Sequence, residues 1–169
     1  MKTLLLLLVL SGGRSVIQPE ISFILNNAGC RITERIANDI NSSIIDAANN
    51  YGIDPTTLAS IAYVESRFNP IAIGKNGEIG IMQINPTYWV NTLKKNNLIT
   101  HKSDLFLPKY NIRAGAYIYK TYLHSTKSEQ KALLRYNAGN RTIQNNVYVT
   151  SINNIKSKLR RNKLWNNKK

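Results

Sequence analysis

Glu65 is a carboxylate set into an apolar row. Leu58, Ile61, Ala62 and Phe68 recur at the three- and four-residue spacing of a core-facing helical stripe, and Glu65 continues that stripe between Ala62 and Phe68. A carboxyl on such a face loses water, its charged form is disfavoured and its pKa rises, which suits a general acid working near neutral pH. A structural Glu, bonded to a backbone N–H or paired with Arg67, fits the same position. Downstream, GKNGEIGIMQINP from Gly74 to Pro86 places glycines where a loop must turn or bring its backbone close to something, and it carries a second carboxylate, Glu78, and an amide, Gln83. Packing on the core through Ile81, Met82 and Ile84 is the plainer account of that loop, and a solvated loop acid the plainer account of Glu78. Much later, Tyr136 and Asn137 bring a hydroxyl and an amide to a helix tip closed by Gly139. Such a tip is often only a cap.

These residues have to be held by helices. Ile44, Ile45, Ala48 and Tyr51 follow Ser42 at helical spacing and Gly52 stops the run; Asp54 and Pro55 then read as N-cap and first residue of the helix that carries Glu65, which Asn69-Pro70 ends. Further helices are expected at Asn111 to Leu123, about Ser128 to Tyr136, and about Val147 to Leu159. The chain therefore reads as all-α, or mainly so, with a short irregular loop or hairpin beside the site. Residues 42–155 form its one domain. Residues 16–41, whose apolar cluster is Ile21 to Leu25, read as an N-terminal extension or linker. Residues 156–169, with Lys156, Lys158, Arg160, Arg161, Lys163, Lys168 and Lys169 and no acid, read as a helix fraying into a solvated basic tail.

Composition bounds the partners. With 23 Lys and Arg against 9 Asp and Glu the net charge is +14, which favours a polyanion: nucleic acid, an anionic membrane surface or an acidic wall polymer. Residues 1–15, a basic start, the apolar run Leu4 to Leu10 and then small residues, have the order of a secretory signal and are too short to span a bilayer; a short N-terminal core helix is the alternative. Export argues against nucleic acid, as does the lack of aromatic–basic interleaving. Cys30 is the one cysteine, so no internal disulfide forms, and no metal or other cofactor is called for.

Four motifs in order, Glu65-Ser66 after an apolar helix, Gly80-Ile81-Met82-Gln83, Asn111-Ile112-Arg113-Ala114-Gly115 and Tyr136-Asn137-Ala138-Gly139, resemble the catalytic domain of the soluble lytic transglycosylases, lysozyme-like enzymes that cut the glycan strands of peptidoglycan. The resemblance spans Ile44 to Val149. A small exported form looks most like the branch that serves secretion, conjugation or pilus machines. It implies Glu65 as catalytic acid and base, Ser66 as the hydroxyl that orients it or the substrate, Met82 and Gln83 on the glycan groove, and Tyr136 with Asn137 holding the carboxyl and the sugar. Glu78 is a candidate second catalytic carboxylate, since paired acids steady an oxocarbenium-like transition state. The implied reaction cleaves the bond between N-acetylmuramic acid and N-acetylglucosamine and closes a 1,6-anhydro ring, in the periplasm or cell envelope, with peptidoglycan and an apparatus protein as partners. Two departures stand out: members of that branch often carry a disulfide, and many relatives have a small residue where this chain has Glu78. A hydrolytic muramidase of the same fold and a non-catalytic glycan-binding scaffold are the alternatives.

Overall fold

The helix that carries Glu65 is buried along most of its length. The computed structural model describes residues 18–139 and 146–165, so the signal-like stretch 1–15 and the last residues of the basic segment lie outside it. In chain order the helices are α1 Pro19–Asn27, α2 Glu34–Tyr51, α3 Pro55–Ser66, α4 Pro86–Lys95, α5 Pro108–Thr126, α6 Glu129–Ala138 and α7 Val147–Arg161, with a 3₁₀ turn at Lys102–Phe106 before α5. Asp54 caps α3 by accepting the Thr56 N–H at 2.8 Å, and Pro55 stands in the first turn, where its missing N–H costs nothing. Every residue from Pro55 to Ala62 is buried. α7 lies along α3, α2 packs on α5, α5 on α6, and α1 on α2.

Residues 18–41 are not a linker. Phe23 of α1 meets Tyr63, Phe68 and Trp165 with ring centroids 6.1–6.2 Å apart, and Ile21 and Ile24 are buried with it. α2 starts at Glu34, where Thr33 accepts the Ile36 N–H. Its polar run conceals the helix, which begins eight residues before Ser42, the start expected from the apolar spacing: Ser42 sits inside it and bonds back to the Asn38 carbonyl at 3.0 Å, and Asn41 and Ser43 are buried with partners of their own.

The basic C-terminal segment, as far as it is described, is likewise part of the core. α7 runs on to Arg161, Leu159, Leu164 and Trp165 are buried, and the Trp165 indole donates to Asn41 Oδ1 at 2.8 Å. Lys156, nearly buried, pairs with Glu129 at 2.6 Å, and Arg160 pairs with Asp54 at the start of α3. Charge alone suggests solvent; the apolar residues set between the charges decide otherwise.

Pro86 opens α4, with Asn85 as its cap. Between α3 and α4 the chain makes a tight loop held by isolated antiparallel bridges, Ile73 with Ile79 and Ile79 with Ile84.

Candidate active site

The last turn of α3 is fixed from both sides. Arg67 and Phe68 both turn into the left-handed region (φ 51° and 57°), and the reversed chain is held by Arg67 N–H to Tyr63 O at 2.8 Å and by the Gly29 N–H, which donates to Arg67 O at 2.7 Å. A Cβ at Gly29 would lie 2.9 Å from Ser66 O, so the α1–α2 connection can approach this closely only as glycine. Glu65 thus stands on a rigid turn.

The loop opposite is pinned by one buried side chain. Asn111, in the first turn of α5, accepts the Met82 N–H at 2.7 Å and donates to Ile79 O at 2.9 Å and Leu105 O at 2.7 Å. Gly80 has φ +75°, and a Cβ there would collide with the Asn111 amide; a Cβ at Gly115, one helical turn along α5, would lie within 2.7–2.8 Å of the Met82 side chain. The motifs Gly80 to Gln83 and Asn111 to Gly115 are therefore two halves of one joint, with α5 as the bed on which the loop rests.

Between this loop, the start of α4, α5 and the tip of α6 lies a cleft of about 970 Å³, lined by Glu65, Glu78, Gln83, Tyr136 and Asn137 among others. Ser66 and Met82 are not on its wall. The Ser66 hydroxyl donates to Ile81 O at 2.8 Å and accepts the Asn69 N–H, tying α3 to the loop, and the Met82 side chain is fully buried against Gly115. Both shape the cleft from behind, because their side chains are already occupied by the fold. Gln83, at φ 47°, donates its own amide to Gly80 O at 2.9 Å, and among the described residues its Oε1 has no hydrogen-bond partner.

The Tyr136 hydroxyl donates to Met82 O at 2.9 Å rather than to Glu65. The donor to Glu65 is Tyr148, in the first turn of α7, at 2.6 Å from Oε1. Tyr148 is not among the residues that the sequence singles out; its one signal is a polar aromatic at the start of a helix inside the matched span.

Burial pushes the Glu65 carboxyl up to about 7, against the pull of the Tyr148 hydrogen bond and with help from the negative charge of Glu78. Glu78 is held below the usual carboxylate range: its partial burial opposes this, but hydrogen bonds to its own backbone N–H, to the Asn76 side chain and N–H, and to Asn85 outweigh it. One carboxyl thus holds its proton up to about 7 while another on the same cleft stays ionised, an arrangement that suits acid-assisted bond cleavage. Among the described residues no group of three or more His, Cys, Asp or Glu is placed to hold a metal ion.

Residues 42–158 match the family described as "Transglycosylase SLT domain". The chain is 34% identical over 126 residues to membrane-bound lytic murein transglycosylase C of Mannheimia succiniciproducens, covering 73% of this chain and 33% of that protein. It is 34% identical over 122 residues to membrane-bound lytic murein transglycosylase E of Buchnera aphidicola, covering 68% of this chain and 52% of that one. The chain thus spans about a third and about half of these relatives' lengths. Among solved structures, an inactive mutant of the lytic transglycosylase Slt from Pseudomonas aeruginosa superposes with a TM-score of 0.54 at 22% identity, over 69% of this chain and 21% of that one, a likeness of fold. A helical frame that sets one raised carboxyl at a helix end against a glycine-hinged loop, and a sequence match running from α2 to α7, lead to one conclusion: the chain belongs to the transglycosylase SLT domain family.

Proposed function

We propose that the protein is a peptidoglycan lytic transglycosylase. The observation that carries this is Glu65: a carboxyl raised to about 7 on the wall of a cleft of about 970 Å³, bonded by Tyr148 and sharing that cleft with Glu78. Glu65, protonated, gives its proton to the oxygen between N-acetylmuramic acid and N-acetylglucosamine as the C–O bond breaks. The carboxylate so formed, still bonded by Tyr148, takes the proton of the muramyl 6-hydroxyl, whose oxygen closes on the anomeric carbon. Atoms and protons balance without water. Glu78 steadies the positive charge that builds on the sugar ring, and Gln83 Oε1 and the exposed Asn137 amide hold an N-acetyl group.

The names of the relatives support murein as substrate and the envelope as location. Among the described residues no helix is long and apolar enough to cross a membrane. Service to a secretion, conjugation or pilus machine is the finer reading, supported by the resemblance and the high positive charge. It predicts that deleting the gene impairs assembly of such a machine while bulk wall turnover continues.

The decisive test is mass spectrometry of sacculi digested by the purified protein, with Glu65→Gln as control. Anhydro-muramyl ends that vanish in the control are the expected result. Reducing ends in their place would make it a hydrolytic muramidase, and binding without cleavage would make it a scaffold.

A further inference from the structure

Two cleft residues have no part in the chemistry above. Lys75 is exposed and lines the cleft, and it sits at the tip of the loop three residues before Glu78. It makes no ion pair among the described residues, where the ion pairs all join Lys156 or Arg160 to Asp54 or Glu129. Glu78, its nearest acid in sequence, is engaged elsewhere: its carboxylate oxygens accept from Asn76, at 2.9 Å from the backbone N–H and 3.1 Å from the side chain. Among the described residues the loop thus carries on the cleft a lysine that is not paired with its own nearest acid.

Tyr88, the second residue, is 77% exposed on the first turn of α4, on the same cleft. Its neighbour Trp89 is committed to the protein, edge-on to Tyr122 at 5.9 Å, but the Tyr88 ring meets no other ring among the described residues. An aromatic ring left in water on a cleft wall, on a helix start that Pro86 and the Asn85 cap hold rigid, is a ready platform for a flat apolar surface. The C–H face of a pyranose is such a surface. Glu78 links the two residues, because Asn85, the cap of α4, is also one of the groups that hold its carboxylate. Ammonium and ring are thus carried on one braced wall.

We propose that Lys75 and Tyr88 form a subsite for a muramyl residue, Tyr88 under the sugar ring and Lys75 on a carboxylate carried by the lactyl substituent. This rests on the peptidoglycan reading above. The carboxylate belongs either to the stem peptide or, where the peptide has been removed, to the lactyl group itself. In both cases the subsite tells muramyl from glucosaminyl residues, since only the former carries the acid, and so fixes the register of the strand against Glu65.

The test is binding, by calorimetry, of full-length Glu65→Gln protein to three ligands: peptide-bearing strands, amidase-treated strands with free lactyl carboxylates, and an uncharged N-acetylglucosamine oligomer. Lys75→Met should weaken both charged strands roughly three- to fivefold at low salt, as for an exposed ion pair, and leave the uncharged oligomer unchanged; Lys75→Arg should restore most of the loss. Tyr88→Ala should weaken all three by roughly five- to tenfold, because the ring meets sugar in each. The larger Lys75 effect identifies which carboxylate is held. Equal Lys75→Met losses on charged and uncharged ligands, or none on either charged strand, would overturn the subsite. Digestion of sacculi by the otherwise wild-type chain separates the two ideas: cleavage with no Lys75 effect removes the subsite alone, whereas no cleavage and no strand binding removes the function beneath it.

Discussion

Replacing Glu65 with Gln should make the protein more stable at alkaline pH, although the amide adds no new interaction. The unfolded chain gives up this proton near the ordinary 4.5, whereas the folded chain keeps it to about 7. Between those values the folded state binds more protons than the unfolded one, so wild-type stability falls as pH rises, and above pH 7 the loss is complete. At about 1.4 kcal/mol per pH unit, that interval corresponds to about 3 kcal/mol, reduced to about 2–3 kcal/mol because the carboxyl is only partly shielded from water. A glutamine is neutral at every pH, fills the same space and can still accept from Tyr148. Urea unfolding of both proteins should show curves that nearly coincide at pH 4 and separate progressively to pH 8, where Glu65→Gln is the more stable by about 2–3 kcal/mol, equivalent to about 6–10 °C in melting temperature. A difference that does not vary with pH, or a less stable glutamine variant at pH 8, would refute the claim that burial holds this proton.

Tyr148→Phe removes the donor that favours the carboxylate, so the alkaline limb of the activity profile should move up from near 7 by about one pH unit while the rate at pH 6 falls about tenfold; an unmoved limb would free Tyr148 of this role. Truncation after Ile155 removes Lys156, Leu159, Leu164 and Trp165, and circular dichroism should show an unfolded or melting chain at 25 °C rather than a soluble domain with weaker wall binding. Asn111→Ala orphans the Met82 N–H and the Ile79 and Leu105 carbonyls together, and denaturant titration should register a loss of about 3 kcal/mol or more.

Much of the frame is legible in the sequence because its signals are local. Asp54-Pro55, Ser128 and Gly52 punctuate helices through hydrogen bonds made within a few residues, and Glu65 stands out against the apolar period around it. What stays hidden is non-local. The polar face of α2 and the charges of α7 look solvated until Trp165 is seen on Asn41, 124 residues away, and nothing near Tyr148 announces a partner 83 residues back. Met82 and Ser66 belong to motifs in which a residue that lines a cleft and a residue that builds its wall are equally fixed. Only side-chain direction tells them apart, and side-chain direction is set by packing with α5 and the loop. Glu78 is legible as an acid in the loop, but its engagement by Asn76 and Asn85 depends on how that loop folds back.

The placement of α7 also orders events in time. Tyr148, which completes the surroundings of Glu65, and Trp165, which closes α1 and α2, both arrive after every other described helix has left the ribosome. A nascent chain that ends before α7 has its acid but neither the hydroxyl that steadies it nor the ion pairs that hold α3 at its far end. The two ends must meet, as Trp165 and Glu20 do across 145 residues, before the domain closes. On the function proposed above, the site that would cut the wall stays unfinished until synthesis has passed α7.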